Sequence, residues 1–248
     1  MSYFPFDLTE PIGASGTLGL IVLQFDETLE QDFRRLFIDR DVAVYVSRVP
    51  SGEDVTPDTL TAMQETIPAA AQLFPPAAPF DAIGYGCTSG TTLIGAEKVA
   101  ELVRQSVGLT QVTDPLTASF AACRALGLSR LGIVTPYIDS VSTPVRDAFK
   151  CLGIQVPEIT SFGEKGEERV ARIDGASIKA AALAVGRSNK VDGVFLSCTN
   201  LRTLDIIEEV EATLNKPVIS SNQVLAWHMA RLASVPLAQD APGRVFEV

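Results

Sequence analysis

The stretch Asp81-Ala82-Ile83-Gly84-Tyr85-Gly86-Cys87-Thr88-Ser89 reads as an apolar strand that ends on a cysteine. A second stretch, Asp192-Gly193-Val194-Phe195-Leu196-Ser197-Cys198-Thr199-Asn200, carries the same pattern 111 positions later (198 − 87 = 111). Apolar runs of this length without polar alternation suit strands buried on both faces. Similar runs predict strands at Leu18–Leu23, Val42–Val46, Leu131–Val134 and Ile154–Ile159, beside Ala82–Tyr85 and Val191–Leu196 in the quoted stretches. Between them, apolar residues recur at spacings of three and four, the signature of amphipathic helices. Helices are expected over Glu27–Ile38, Asp58–Leu73, Leu93–Val103, Leu116–Leu126, Val141–Leu152, Gly175–Val185, Leu201–Leu214 and Asn222–Leu232. Buried strands alternating with helices predict an α/β fold with parallel sheets.

Outward from the two cysteines, the match extends along the chain. Thr17-Leu18-Gly19-Leu20-Ile21-Val22 resembles Arg130-Leu131-Gly132-Ile133-Val134-Thr135 at an offset of 113 (130 − 17 = 113). Asp41–Val49 aligns with Gly153–Ser161 at 112 (153 − 41 = 112). Gln111-Val112-Thr113-Asp114 and Pro217-Val218-Ile219-Ser220 each precede a helix. Elements repeated in the same order at nearly constant offset indicate duplication. The expected architecture is two similar Rossmann-like half-domains related by a pseudo-two-fold axis, with the active site in the cleft between them. Residues 1–115 with 219–248 make the first half-domain and 116–218 the second, with no Pro/Gly/Ser-rich linker at the boundary.

Bulk properties narrow the function. A chain of 248 residues, 46% hydrophobic and 20% charged, can bury a core without disulfide or metal staples. The four cysteines (Cys87, Cys123, Cys151, Cys198) show no CxxC spacing and accompany a single histidine, His228, so no zinc set is expected. The start, Met1-Ser2-Tyr3-Phe4-Pro5-Phe6-Asp7, lacks a secretory pattern, and no apolar run reaches the roughly 18 residues of a membrane span. A cytoplasmic protein with reduced thiols is expected. A net charge of −10 argues against nucleic acid and anionic membranes as partners, and an anionic substrate must be held by local donors. Gly84-Tyr85-Gly86-Cys87-Thr88-Ser89-Gly90 has GxGxxxG spacing, neither a dinucleotide fingerprint nor a P-loop, so no cofactor is expected.

Ligands of open parallel sheets bind beyond the carboxyl ends of the strands. Cys87 and Cys198 lie there, each expected just before a helix whose free N–H groups favour a thiolate or a bound carboxylate. Thr88, Ser89, Thr91, Thr92, Thr199 and Asn200 offer uncharged donors beside them, while Gly84, Gly86 and Gly90 let the backbone approach a ligand. Cys123 and Cys151 fall within apolar helical patterns and read as buried packing. The matched placement of Cys87 and Cys198 points instead to catalysis. One thiolate can remove a proton next to a carboxylate while the other thiol protonates the opposite face. Alternatively, a thiolate adds to an activated double bond. The residues do not choose between these courses.

These residues carry a family resemblance. Gly84–Gly90, Ile133-Val134-Thr135-Pro136-Tyr137 and Leu196-Ser197-Cys198-Thr199-Asn200, set in a duplicated α/β plan, resemble the aspartate/glutamate racemase superfamily. The chain is similar to its maleate isomerase and arylmalonate decarboxylase branch, and more narrowly to ectoine-utilisation proteins. The resemblance covers Gly19 to about Leu232. It implies Cys87 and Cys198 as the catalytic pair, with Thr88, Ser89 and Tyr137 holding a substrate carboxylate. Arylmalonate decarboxylases have glycine at the first cysteine position, so Cys87 favours an isomerase or racemase. Maleate isomerases carry an asparagine after the first strand, where Leu23-Gln24-Phe25-Asp26-Glu27-Thr28 places Asp26, and a second family asparagine is absent around Ser161-Phe162-Gly163-Glu164. An acidic Asp26 repels a simple dicarboxylate. A substrate bearing an amino, amide or hydroxyl group beside its carboxylate is therefore expected; Asp26 also suits a helix N-cap.

Among other polar residues, His228 on the last helix reads as structural, and Arg48 and Arg202 could each steer an anion or be merely solvated. The run Glu164-Lys165-Gly166-Glu167-Glu168-Arg169 reads as an exposed loop and helix start without chemistry. The expected function is a cofactor-independent isomerase or racemase of a small carboxylic acid, with a homodimer as the default assembly. The alternatives are a malonate-type decarboxylase using Cys198 as proton donor and a non-catalytic carboxylate binder.

Overall fold

Each half of the chain folds into a four-stranded parallel sheet clad in helices. The computed structural model describes residues 1, 3–38, 41–108 and 111–248. The first half contains β1 (Gly16–Leu23), α1 (Leu29–Leu36), β2 (Val42–Val49), α2 (Pro57–Ala62), α3 (Ile67–Ala71), β3 (Ala82–Gly86), α4 (Thr88–Ile94), α5 (Ala96–Val107) and β4 (Val112–Thr113). Then come α6 (Pro115–Leu126), β5 (Arg130–Tyr137), α7 (Asp139–Cys151), β6 (Gln155–Glu164), α8 (Glu167–Val170), α9 (Gly175–Gly186), β7 (Gly193–Leu196), α10 (Ile207–Leu214), β8 (Val218–Ser220) and α11 (Ser221–Ala233). The strand orders are β2-β1-β3-β4 and β6-β5-β7-β8, the same topology twice. Every pairing among these strands is parallel, with Val22 opposite Gly86 in one sheet and Val134 opposite Leu196 in the other. Strands β3 and β7 are buried throughout, as their unbroken apolar runs require.

The halves exchange a helix. Although α6 follows β4, its Phe120 ring packs tilted against Phe149 of α7 at 4.9 Å, and Phe149 packs tilted against Phe195 of β7 at 5.2 Å. Reciprocally, α11 follows β8 yet packs on β3, β1 and α1 of the other half. Gly84 makes that approach possible, since a Cβ there would meet Met229 Sδ of α11 at 2.5 Å. One hydrophobic core runs through both halves.

Some expected elements break where apolar periodicity does not. The helix expected over Leu93–Val103 is divided at Gly95, which holds φ +98° between α4 and α5. The segment Asp58–Leu73 becomes α2, a 3-10 turn at Met63–Glu65 and α3, while Leu201–Leu214 becomes helical only at Leu204. In each case one face stays buried across the break, so the pattern persists. Cys123 is buried, but Cys151 at the end of α7 is exposed, contrary to its expected place in the core. No helix among the described residues is long and apolar enough to cross a membrane.

In both sheets the first strand lies inside its successor, so the chain leaves β1 and β3 (or β5 and β7) toward opposite sides. A crevice opens beyond the carboxyl ends of such strands. Asp26 follows β1, Cys87 follows β3, Tyr137 ends β5 and Cys198 follows β7.

Candidate active site

Cys87 is the N-cap of α4, where its extended backbone lets the sulfur accept the N–H of Gly90 at 3.1 Å. The Ser89 hydroxyl lies 3.8 Å from the same sulfur. Gly90 is required at this approach: a Cβ would stand 2.8 Å from Cys87 Sγ. Thr88 is buried and directs its hydroxyl to Ser221 at 2.8 Å, joining α4 to α11.

Cys198 sits differently. No helix begins after it; the chain turns through residues 199–203, and Cys198 itself holds φ +133°. The Cys198 N–H donates to Ser221 Oγ at 3.0 Å, and the Asn200 N–H approaches its sulfur at 3.4 Å. Ser221 thus touches both turns, with one oxygen facing Thr88 and the Cys198 backbone. The expected equivalence of the two thiols holds for strand position and fails for the helix start.

Tyr137 closes the gap between them. Its phenol is buried, and burial above all, with the nearby Cys198 and Cys87 thiols adding to it, raises its proton affinity well above the usual value. Cys87, Ser89, Tyr137 and Cys198 therefore form a continuous wall. With 2% and 5% of their surfaces exposed, Cys87 and Cys198 are deeply buried. Burial pushes the Cys87 thiol up to about 12 and Cys198 well above its usual value. The Gly90 N–H lowers Cys87 and the Tyr137 phenol lowers Cys198, but neither offsets desolvation. Burial therefore works against the thiolates that the strand-end turns were expected to favour.

Two carboxyls adjoin the thiols. Asp26 Oδ1 accepts the N–H groups of Thr28 and Leu29, both at 2.8 Å, a capping role. Its Oδ2 is buried and unpartnered; the Thr199 hydroxyl lies near enough to lower its proton affinity but donates to the Gly86 carbonyl at 3.2 Å. Glu167, assigned by sequence to an exposed loop, is only 5% exposed. Burial raises its carboxyl to about 7. Nothing in the polar run 164–169 marks which glutamate turns inward; only the packing of two segments does. Val55 N–H donates to the Lys165 carbonyl at 2.7 Å and Glu167 N–H to the Glu53 carbonyl at 2.9 Å, which fixes that orientation.

Asn200 is a staple. Its amide nitrogen reaches Glu167 Oε2 at 3.0 Å and the Phe25 carbonyl at 3.2 Å, while Oδ1 accepts the Glu27 N–H at 2.8 Å. Those bonds occupy its polar atoms, so it positions the loop after β1 and α8. Arg48 is engaged similarly: it donates to the carbonyls of Leu23, Gln24 and Asp26 and pairs with Glu30 at 3.0 Å. Arg202 is exposed, beside Thr203 and Asp205 at the edge of a surface groove. His228 meets Thr113 Oγ1 at 2.8 Å, a structural bond. Thr92 donates to the Thr88 carbonyl at 2.8 Å, and Thr91 Oγ1 is buried without a partner.

Among the described residues, no cluster of three or more histidine, cysteine or carboxylate groups could hold a metal ion. A surface cavity of about 1000 Å³ is lined by Glu208, Glu211, Leu237, Arg244 and Phe246 and contains neither thiol.

The family described as arylmalonate decarboxylase matches residues 53–246. The arylmalonate decarboxylase of Bordetella bronchiseptica is 37% identical over 148 residues, 58% of this chain and 61% of the relative, less than two thirds of its length. The maleate isomerase of Nocardia farcinica (strain IFM 10152) is 24% identical over 247 residues, covering 92% of this chain and 94% of the relative. A liganded double mutant of arylmalonate decarboxylase superposes with a TM-score of 0.84 at 29% identity, over 94% of this chain and 99% of that one. Sequence match and fold agree over most of the molecule: the chain belongs to the arylmalonate decarboxylase family.

Proposed function

We propose that this protein is a cofactor-independent isomerase or racemase of a small carboxylic acid, with Cys87 and Cys198 acting on opposite faces of the substrate. The observation that carries the reading is the placement of Cys87 and Cys198 after the corresponding strands β3 and β7, with Ser221 Oγ joining the Thr88 and Cys198 turns. In this reading the Ser89 and Tyr137 hydroxyls receive the substrate carboxylate, and Thr88 and Thr199 hold the two turns in place through Ser221 and the Gly86 carbonyl. One sulfur, once deprotonated, takes the proton from the carbon beside the carboxylate, and the C–H electron pair moves into an enediolate. The thiol across the cleft then donates its proton to the other face, so the sulfurs exchange protonation states and nothing else is consumed. Hydroxyl donors aimed at the carboxylate stabilise the developing charge in a site without bulk water. We further read residues 1–115 with 219–248 and residues 116–218 as the two half-domains whose closure forms the site; the packing of α11 on β1 and β3 supports this.

The 37% identity to a decarboxylase favours a second reading. There the bond to one carboxylate of a malonate breaks, CO₂ leaves, and Cys198 protonates the enediolate; Cys87 is then dispensable.

The test incubates maleate, phenylmalonate and aspartate in D₂O with wild type, Cys87→Ala and Cys198→Ala. NMR follows cis–trans conversion and α-proton exchange, and CO₂ release is measured in parallel. Isomerisation or exchange lost in both variants is the expected result. CO₂ release that survives Cys87→Ala and stops in Cys198→Ala selects the decarboxylase, and conversion that survives both variants overturns the thiol reading.

A further inference from the structure

The exposed aromatic surface of the chain is gathered at its start. Tyr3, Phe4, Phe6, Leu8 and Ile12 are each more than two-thirds exposed, and no other aromatic side chain among the described residues is as exposed. No hydrogen bond joins residues 3–12 to the rest of the described chain. Contiguous exposed apolar surface of this kind marks an interaction site. Phe4, Phe6, Leu8 and Ile12 fall at even positions, with Glu10 the one polar exception, and Pro5, Asp7, Thr9 and Pro11 lie between them. That alternation gives an extended segment one apolar face. The base of the segment is built. Gly13 holds φ +86°, a Cβ there would meet Ala43 at 2.7 Å, and the Ser15 N–H donates to the Asp41 carbonyl at 3.0 Å.

A groove suited to such a face lies beside that base. Phe74, Pro75, Pro76, Ala78 and Phe80 line a cavity of about 220 Å³ between the end of α3 and Val107 of α5, and no charged side chain lines it. Phe74 and Phe80 pack tilted at 5.0 Å, and Phe80 meets Tyr45 edge-on at 5.5 Å. A ring inserted here extends an aromatic cluster. Asp81, next to Phe80, accepts the Thr17 N–H at 2.8 Å, which ties the groove to the strand that the segment enters.

We propose that residues 3–12 are a docking arm whose apolar face occupies this groove on a second copy of the chain, while the second copy's arm returns the contact. Because arm and groove adjoin, a two-fold axis at this edge closes the pair with one surface used twice. Pro5 and Pro11 hold the arm extended and remove two N–H donors, so side chains in a groove serve it better than strand addition. Three aromatic side chains bury roughly 450–750 Å². Two arms with the surfaces they cover therefore reach the roughly 1,200–2,000 Å² of a stable interface. Each copy carries a net charge of −10, so the copies repel at long range and apolar contact must supply the attraction.

The test measures sedimentation of the full chain as wild type, as the double variant Phe4→Ser/Phe6→Ser and as Ala78→Arg, with melting temperatures recorded to confirm folding. Wild type should sediment as a dimer, and each variant should raise the dimer Kd by at least about tenfold. A second measurement needs neither variant. Phe6 is replaced by the photoreactive p-benzoylphenylalanine, isotope-labelled and unlabelled chains are mixed, and the cross-links are mapped by mass spectrometry. The expected product joins position 6 of one chain to residues 71–80 or 106–107 of a chain with the other label. A wild type that stays monomeric, or a dimer that either variant leaves unchanged, would overturn the proposal. Cross-links confined to chains of one label would do the same, because the arm would then lie on its own chain. Cross-links between chains that fall outside the groove would overturn it as well.

Discussion

Cys198 holds φ +133°, a backbone conformation that a residue with a Cβ rarely adopts, and it does so at a buried sulfur facing Tyr137. Strain of this kind costs on the order of 1–3 kcal/mol and persists where surrounding bonds over-determine it. Here the Ser221 hydroxyl fixes the Cys198 N–H, and Asn200 anchors the next turn. Cys198→Gly is therefore expected to be more stable than Cys198→Ala by about 1 kcal/mol in urea denaturation, although both lose the sulfur. Equal stability of the two variants would show that the turn is relaxed. At this scale the sequence was informative about position: the two cysteines stand at matched strand ends, and Asp26 caps the turn after β1. It was silent on Glu167, because four acidic or basic neighbours look alike until a second segment, residues 53–55, dictates which one is turned inward. The opposing pull of burial on the thiols was not legible either. A free N–H at Gly90 is readable from a strand–helix turn, but the desolvation that outweighs it depends on the other half of the chain.

Between elements, α1 meets α11 through a buried polar pair. Asn222 Nδ2 donates to Asp32 Oδ2 at 2.7 Å and to the Thr199 carbonyl at 2.8 Å, which links that helix contact to the Cys198 turn. Burial raises the Asp32 carboxyl from 3.8 to about 7. Between those two values the folded protein binds the extra proton, so this group's contribution to stability falls as pH rises and is fully unfavourable above about 7. Asp32→Asn removes the ionisation, and its new amide can donate to Asn222 Oδ1, which is buried without a partner. The variant should gain on wild type by about 2–4 kcal/mol as pH goes from about 5 to 8, measured by denaturant unfolding at both values. A constant difference across that range would show that Asp32 is not raised. Element boundaries were legible for strands, whose apolar runs are interrupted by turns. They were less legible for helices such as α4 and α5, where the buried face continues past Gly95 and only its positive φ marks the break.

Across the whole molecule, the duplicated strand order sets both thiols at corresponding crevices, and the exchange of α6 and α11 binds the halves face to face. The repeat was visible as offsets of 111 to 113 residues between matched segments. The exchange was not, because which sheet a helix covers depends on side chains such as Phe120 and Met229 meeting partners far away in the chain. The central claim is that the Cys87 and Cys198 sulfurs open on one space that a single small substrate fills. Treatment with dibromobimane, a short bis-electrophile, followed by peptide mass mapping tests it without knowledge of the substrate. The account predicts one cross-linked product joining the Cys87 and Cys198 peptides, with exposed Cys151 labelled singly. Separate single adducts on Cys87 and Cys198, with no bridge between them, would contradict it.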